Sequence, residues 1–150
     1  MDLKVIPVIK VAISVALMVF ISTFMTSLTY IFSASYTIAI VIFNLAFLIA
    51  ALAIYCFIKH QTTVNPAHPE QASKVVNSGI YAYTRNPMYL AMALALLALA
   101  IYLENIAVFS IIPLFIGYIT KFQIIPEEKA LTTLFTDDYL DYKNNVRRWF

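Results

Sequence analysis

The sequence predicts an all-α integral membrane protein with about four transmembrane helices, and three observations carry that reading. Apolar residues fill 62% of the 150 positions and charged residues only 12%, against roughly 45–50% and about 25% in soluble domains. The apolar residues collect in four long segments. All ten Lys and Arg residues fall on one side of the membrane that those segments define.

The first segment covers residues 11–32. It is too long for a signal-peptide core and carries no clear A-x-A cleavage site, so it is expected to be retained. The second covers 36–58, the third 87–102 and the fourth 106–125. At 1.5 Å per residue the first, second and fourth reach roughly 30 Å, the thickness of a bilayer core. The third reaches only about 24 Å, so it is expected to sit against neighbours or to begin below the surface. Asn44 reads as an interhelical hydrogen-bonding residue, Cys56 as a small buried apolar residue, and Pro113 as a kink in the fourth segment.

Orientation follows from the basic residues. Lys4 and Lys10 precede the first segment, and the link 33–35 carries no charge. The loop 59–86 holds Lys59, Lys74 and Arg85, the link 103–105 holds only Glu104, and the tail holds Lys121, Lys129, Lys143, Arg147 and Arg148. Both termini and the loop 59–86 are therefore expected in the cytoplasm, of a bacterial inner membrane. In the tail, Leu131, Leu134, Phe135, Tyr139, Tyr142, Val146 and Trp149 recur at helical spacing, opposite Lys129, Asp137, Asp141, Lys143, Asn144 and Arg148. This predicts an amphipathic helix folded back on the loop, or two short helices broken near Thr136–Asp137, where either residue could cap a restart.

Composition also excludes chemistry. The two glycines, Gly79 and Gly117, cannot form a Rossmann or phosphate-binding loop, each of which needs several glycines in close order. The single cysteine permits no intrachain disulfide and no C-x-x-C site. With His60 and His68 it makes no convincing zinc site, so no metal is expected. A net charge of +2 gives no reason to expect nucleic acid.

Two polar clusters remain. One is Tyr81, Tyr83, Arg85, Asn86, Pro87 and Tyr89, at the entrance to the third segment. It reads as architecture, with Asn86 as N-cap, Pro87 at the first helical position and Arg85 at headgroup depth. The other is Pro126, Glu127 and Glu128, where a proline ends the fourth segment and two carboxylates favour a new helix start. Both clusters also read as function, because an arginine, several tyrosines and two carboxylates converge at one depth on one membrane face. Ionisable groups are tolerated there when they line a wet cavity or pair.

These residues resemble a known family. Residues 62–66 (TTVNP), then Gly79-Ile80-Tyr81 and Arg85-Asn86-Pro87-Met88-Tyr89, resemble the R-H-P-x-Y-x-G core of the isoprenylcysteine carboxyl methyltransferase family, including its bacterial relatives and the similar phospholipid methyltransferases. Glu127-Glu128-x-x-Leu131-x-x-x-Phe135, followed by Tyr139 and Tyr142, is similar to that family's E-E-x-x-L-x-x-x-F-G-x-x-Y-x-x-Y signature. The likeness spans about residues 59–150, and Asn86, Ala91 and Thr136 depart from the histidine and two glycines of the pattern.

The resemblance implies an S-adenosylmethionine-dependent methyltransferase without a Rossmann fold. Its acceptor would be a lipophilic small molecule or a prenyl- or lipid-like group bearing a carboxylate, thiol or amine, with membrane lipid around it. It implies a scaffold over 1–58 and a methyltransferase-like core over 59–150, where loop and C-terminal helix form the cofactor site. Arg85 and Glu128 become the candidate catalytic pair. His68, Tyr81, Tyr83, Arg85, Asn86, Pro87, Tyr89, Glu127 and Glu128 become the candidate cofactor-binding set. A carboxylate can accept from ribose or ammonium, an arginine can hold a carboxylate bidentately, and tyrosines can lie against adenine or sulfonium. Two other readings stand beside it: a membrane scaffold or regulatory subunit keeping the fold without chemistry, and a small four-helix transporter. The transporter lacks support, because no ionisable residue lies in the interior of the four segments.

Overall fold

The computed structural model describes residues 7–60 and 74–149. Helix α1 runs Pro7–Phe24, α2 Ser35–Lys59, and α3 Pro87–Tyr102. The last pass is one continuous helical stretch: a 3-10 turn Ile106–Ser110, α4 Ile111–Ile119, a π turn Thr120–Ile124, and α5 Ile125–Asn145. Long apolar helices thus build an integral membrane protein, and only 17% of the most apolar window of α1, and of α2, is buried by protein. Along α2 the buried alanines Ala39, Ala46 and Ala53 recur every seven residues, spacing that lets α2 lie close against α3 in the most extensive helix contact of the fold.

Helix α3 begins and ends as the sequence predicts, because Pro87 is pre-set for the first helical position. Elsewhere the structure departs from expectation. α1 ends at Phe24, short of residue 32, and a 3-10 turn Thr26–Leu28 leads into α2. Pro126 does not end the fourth pass. The π turn before it widens the helix, so a residue without an N–H is taken up in an unbroken stretch. No free helix N-terminus therefore forms for Glu127 and Glu128 to complement. Pro113 falls in the first turn of α4, where its missing N–H is tolerated, rather than at mid-helix. Asn44 donates to the Ile40 carbonyl of its own helix at 2.8 Å instead of bridging helices. The expected break near Thr136 is present as a kink inside α5, with Thr136 at φ 37°, ψ −107°.

The links away from the basic side are stitched together. Asn105 is fully buried and donates to the Met25 carbonyl at 2.8 Å, while its Oδ1 caps the 3-10 turn by accepting from the Ala107 N–H. The Tyr30 N–H donates to the Glu104 carbonyl at 2.8 Å. At the basic end a second core joins Ala53 and Cys56 of α2 to Val76, Tyr81, Tyr139 and Tyr142, with Leu131 and Phe135 against it. The C-terminal helix is thus folded onto the segment before α3, although Leu134 stays exposed.

Candidate functional site

The approach to α3 is shaped by Gly79, which opens a 3-10 turn Gly79–Ala82 at φ +61°. A Cβ there would lie 2.7 Å from Cys56 Sγ, so only glycine lets the turn sit on α2. Tyr81 then packs edge-on against Phe57, ring centroids 5.2 Å apart, and its carbonyl accepts from the Tyr142 hydroxyl at 2.7 Å. Burial pushes the Tyr81 phenol pKa well above its ordinary value.

Asn86 holds the N-cap position without capping the helix through its side chain. Its Nδ2 donates instead to the Arg148 carbonyl at 3.0 Å, and the Thr84 hydroxyl donates to the same oxygen at 3.2 Å. The Arg85 N–H donates to the Arg147 carbonyl at 3.0 Å. Residues 146–149 are thereby strapped across the entrance of α3, and Trp149 at their end packs on the transmembrane core.

The strap delivers Arg148 to Glu128. Arg148 Nε donates to Oε1 at 2.9 Å and Nη2 to Oε2 at 2.8 Å, and this carboxylate raises the guanidinium pKa further. Arg85 approaches from the α3 side, its Nη2 3.4 Å from Glu128 Oε1 and its side chain 8% exposed. Arg85 Nε and Nη1 are buried and have no hydrogen-bond partner among the described residues. Two guanidinium groups against one carboxylate leave an excess positive charge at this end of the bundle.

Glu127, one residue earlier, serves a separate network. Its Oε1 accepts from the Tyr89 hydroxyl at 2.5 Å and from Gln123 Nε2 at 2.7 Å. Lys10 Nζ in turn donates to Gln123 Oε1 at 2.7 Å. Lys10 therefore does not precede the first helix; it lies within α1 and is buried.

The structure brings Tyr81, Arg85, Asn86, Pro87, Tyr89, Glu127 and Glu128 to one end of the bundle. Tyr83 stands outside the cluster, 81% exposed, and His68 lies outside the described residues. Lys10, Gln123 and Arg148 were not among the sequence candidates, and no local motif marks any of them. Beside the cluster lies a cavity of about 780 Å³, lined by Lys74, Phe135, Asp138, Asp141, Tyr142 and Val146 among others. Among the described residues no three His, Cys, Asp or Glu side chains gather as a metal-ligand set.

Comparisons with known proteins fit this arrangement. The family model for phospholipid methyltransferases matches residues 34–138, from the start of α2 into α5. An uncharacterized protein of Haemophilus influenzae is 44% identical over 62 residues, which is 41% of this chain and 98% of that protein. No solved structure matches. The match covers most of the chain and both carboxylates of the site, and on that evidence the chain belongs to the phospholipid methyltransferase family and is a membrane methyltransferase.

Proposed function

We propose that the protein takes its methyl group from S-adenosylmethionine and transfers it to a lipophilic acceptor at the cytoplasmic face of a bacterial inner membrane. The observation that carries the reading is Arg85: a guanidinium in a buried site, with two donors unpartnered among the described residues. Its Nη2 pairs with Glu128 at 3.4 Å, but buried donors left without an acceptor are costly. The α-carboxylate of S-adenosylmethionine is a group that a planar guanidinium fork accepts in pairs, so the residues present fit the cofactor.

When bound, S-adenosylmethionine supplies an electrophilic methyl on a sulfonium. The chain's own residues bind and orient. Arg85 takes the carboxylate, and Glu127 and Glu128 offer oxygens to the ammonium or ribose. Tyr89 holds the Glu127 carboxylate by its hydroxyl, and the buried Tyr81 and Tyr139 supply aromatic surface at the same end of the bundle. Catalysis then comes mainly from placing donor and acceptor in line. An ionised carboxylate or thiolate acceptor needs no base from the protein, whereas an amine acceptor would give its proton to one of the carboxylates.

Equilibrium binding of radiolabelled S-adenosylmethionine to the detergent-purified protein tests the reading. The wild type should bind saturably. Arg85→Met should lose about 2–5 kcal/mol of binding, roughly 30-fold or more in affinity. Equal affinity in both proteins would remove Arg85 from the site, and no binding to the wild type would overturn the donor assignment.

A further inference from the structure

The helix outside the family match reaches into the site. The match begins at residue 34, so all of α1 precedes it, yet α1 contributes Lys10. This lysine is 8% exposed, and a buried ammonium in a membrane helix persists where it has partners. It has two. Its Nζ donates to Gln123 Oε1 at 2.7 Å and lies 5.5 Å from the Tyr118 ring centroid. Gln123 is fully buried on the π turn, and its Nε2 donates to Glu127 Oε1 at 2.7 Å. The amide is thus held with its oxygen toward the cation and its nitrogen toward the carboxylate.

That order has a chemical consequence. A direct Lys–Glu pair would neutralise the carboxylate and blunt its attraction for a cationic ligand. An intervening amide fixes the carboxylate in place through a hydrogen bond while keeping the ammonium one side chain away. The Tyr89 hydroxyl secures the same oxygen from α3, so Glu127 is clamped between the first and third helices.

We propose that Lys10 is a positioning residue for Glu127, acting through Gln123, and that α1 is therefore part of the methyl-transfer site rather than scaffold alone. The proposal rests on the assignment of S-adenosylmethionine as donor, with Glu127 receiving its ammonium or ribose hydroxyls.

The test is a double-mutant cycle on cofactor affinity, with thermal unfolding followed in parallel. Lys10→Met should weaken S-adenosylmethionine binding roughly tenfold, within the coupling range of residues in one hydrogen-bond network. Gln123→Leu should weaken it similarly, and Lys10→Arg, which keeps the cation, should recover most of the loss. In a Glu127→Gln background, Lys10→Met should change affinity no further. A merely structural lysine would instead lower stability and leave its affinity penalty additive with that of Glu127→Gln. Parental affinity in Lys10→Met, or additive penalties, overturns the proposal. If Lys10→Met does not fold, the Gln123→Leu and Glu127→Gln pair decides by the same criterion. Absence of binding by the wild type would instead defeat the donor assignment on which the proposal stands.

Discussion

Replacing Glu128 with glutamine keeps the shape of the side chain and removes the one negative charge between two arginines. The two arginines lose unequal amounts. Arg148 is 34% exposed at its side chain, so its guanidinium can turn to water, and its loss is put at about 1 kcal/mol. Arg85 is 8% exposed and would keep a buried charge with no counter-ion. Removing one partner of a buried pair costs about 3–5 kcal/mol. The 3.4 Å separation and the remaining amide oxygen put Glu128→Gln at the lower end, about 3 kcal/mol in total. Thermal unfolding in detergent should show a clear fall in midpoint. The double variant Arg85→Met, Glu128→Gln should recover part of it, because the orphaned charge is gone. A Glu128→Gln protein that unfolds like the parent, or a double variant less stable than Glu128→Gln alone, would refute this account of the charge cluster.

Three further outcomes follow from the same geometry. Gly79→Ala should destabilise the protein by about 1–3 kcal/mol, since the new Cβ meets Cys56 Sγ at 2.7 Å in a left-handed turn; an unchanged unfolding midpoint would contradict it. Thr136→Gly should raise the midpoint by relieving a β-branched residue at φ 37°, a strain of about 1–3 kcal/mol offset in part by glycine's own entropy; a lower midpoint would contradict it. Cysteine labelling from outside intact cells should reach a probe at position 34 and miss one at position 74, given the basic residues beside the loop; the reverse pattern would invert the orientation.

How far the sequence carried depended on the range of each interaction. The start of α3 was legible because proline chemistry acts on its own residue and its immediate neighbours. The contact of Gly79 with Cys56, across 23 positions, was not legible. Pro126 misled because a proline ordinarily ends a helix, and the π turn that absorbs it belongs to the packing of the last pass. Asn86 carried a local capping signal that the tail overrode, since the Arg148 carbonyl took its amide. Lys10 was read as preceding the first segment, and its partner 113 residues away was not legible. Arg148 looked like one more charge on a solvated face, because nothing local announces that residues 146–149 turn back over α3. The two carboxylates, Arg85 and Tyr89 drew notice because they sit in motifs; Gln123 and Arg148, which also hold the carboxylates, lie outside those motifs.

Transfer of label tests the central claim most directly. The purified protein would be placed in vesicles of bacterial lipid with S-adenosylmethionine carrying a radiolabelled methyl group, and the organic-soluble fraction counted. The account predicts label in that fraction with the wild-type protein, and strongly reduced label with Arg85→Met at the same protein and cofactor concentrations. Saturable cofactor binding with no label in any lipid-soluble product would contradict transfer to a lipophilic acceptor, and equal labelling by wild type and Arg85→Met would contradict the site.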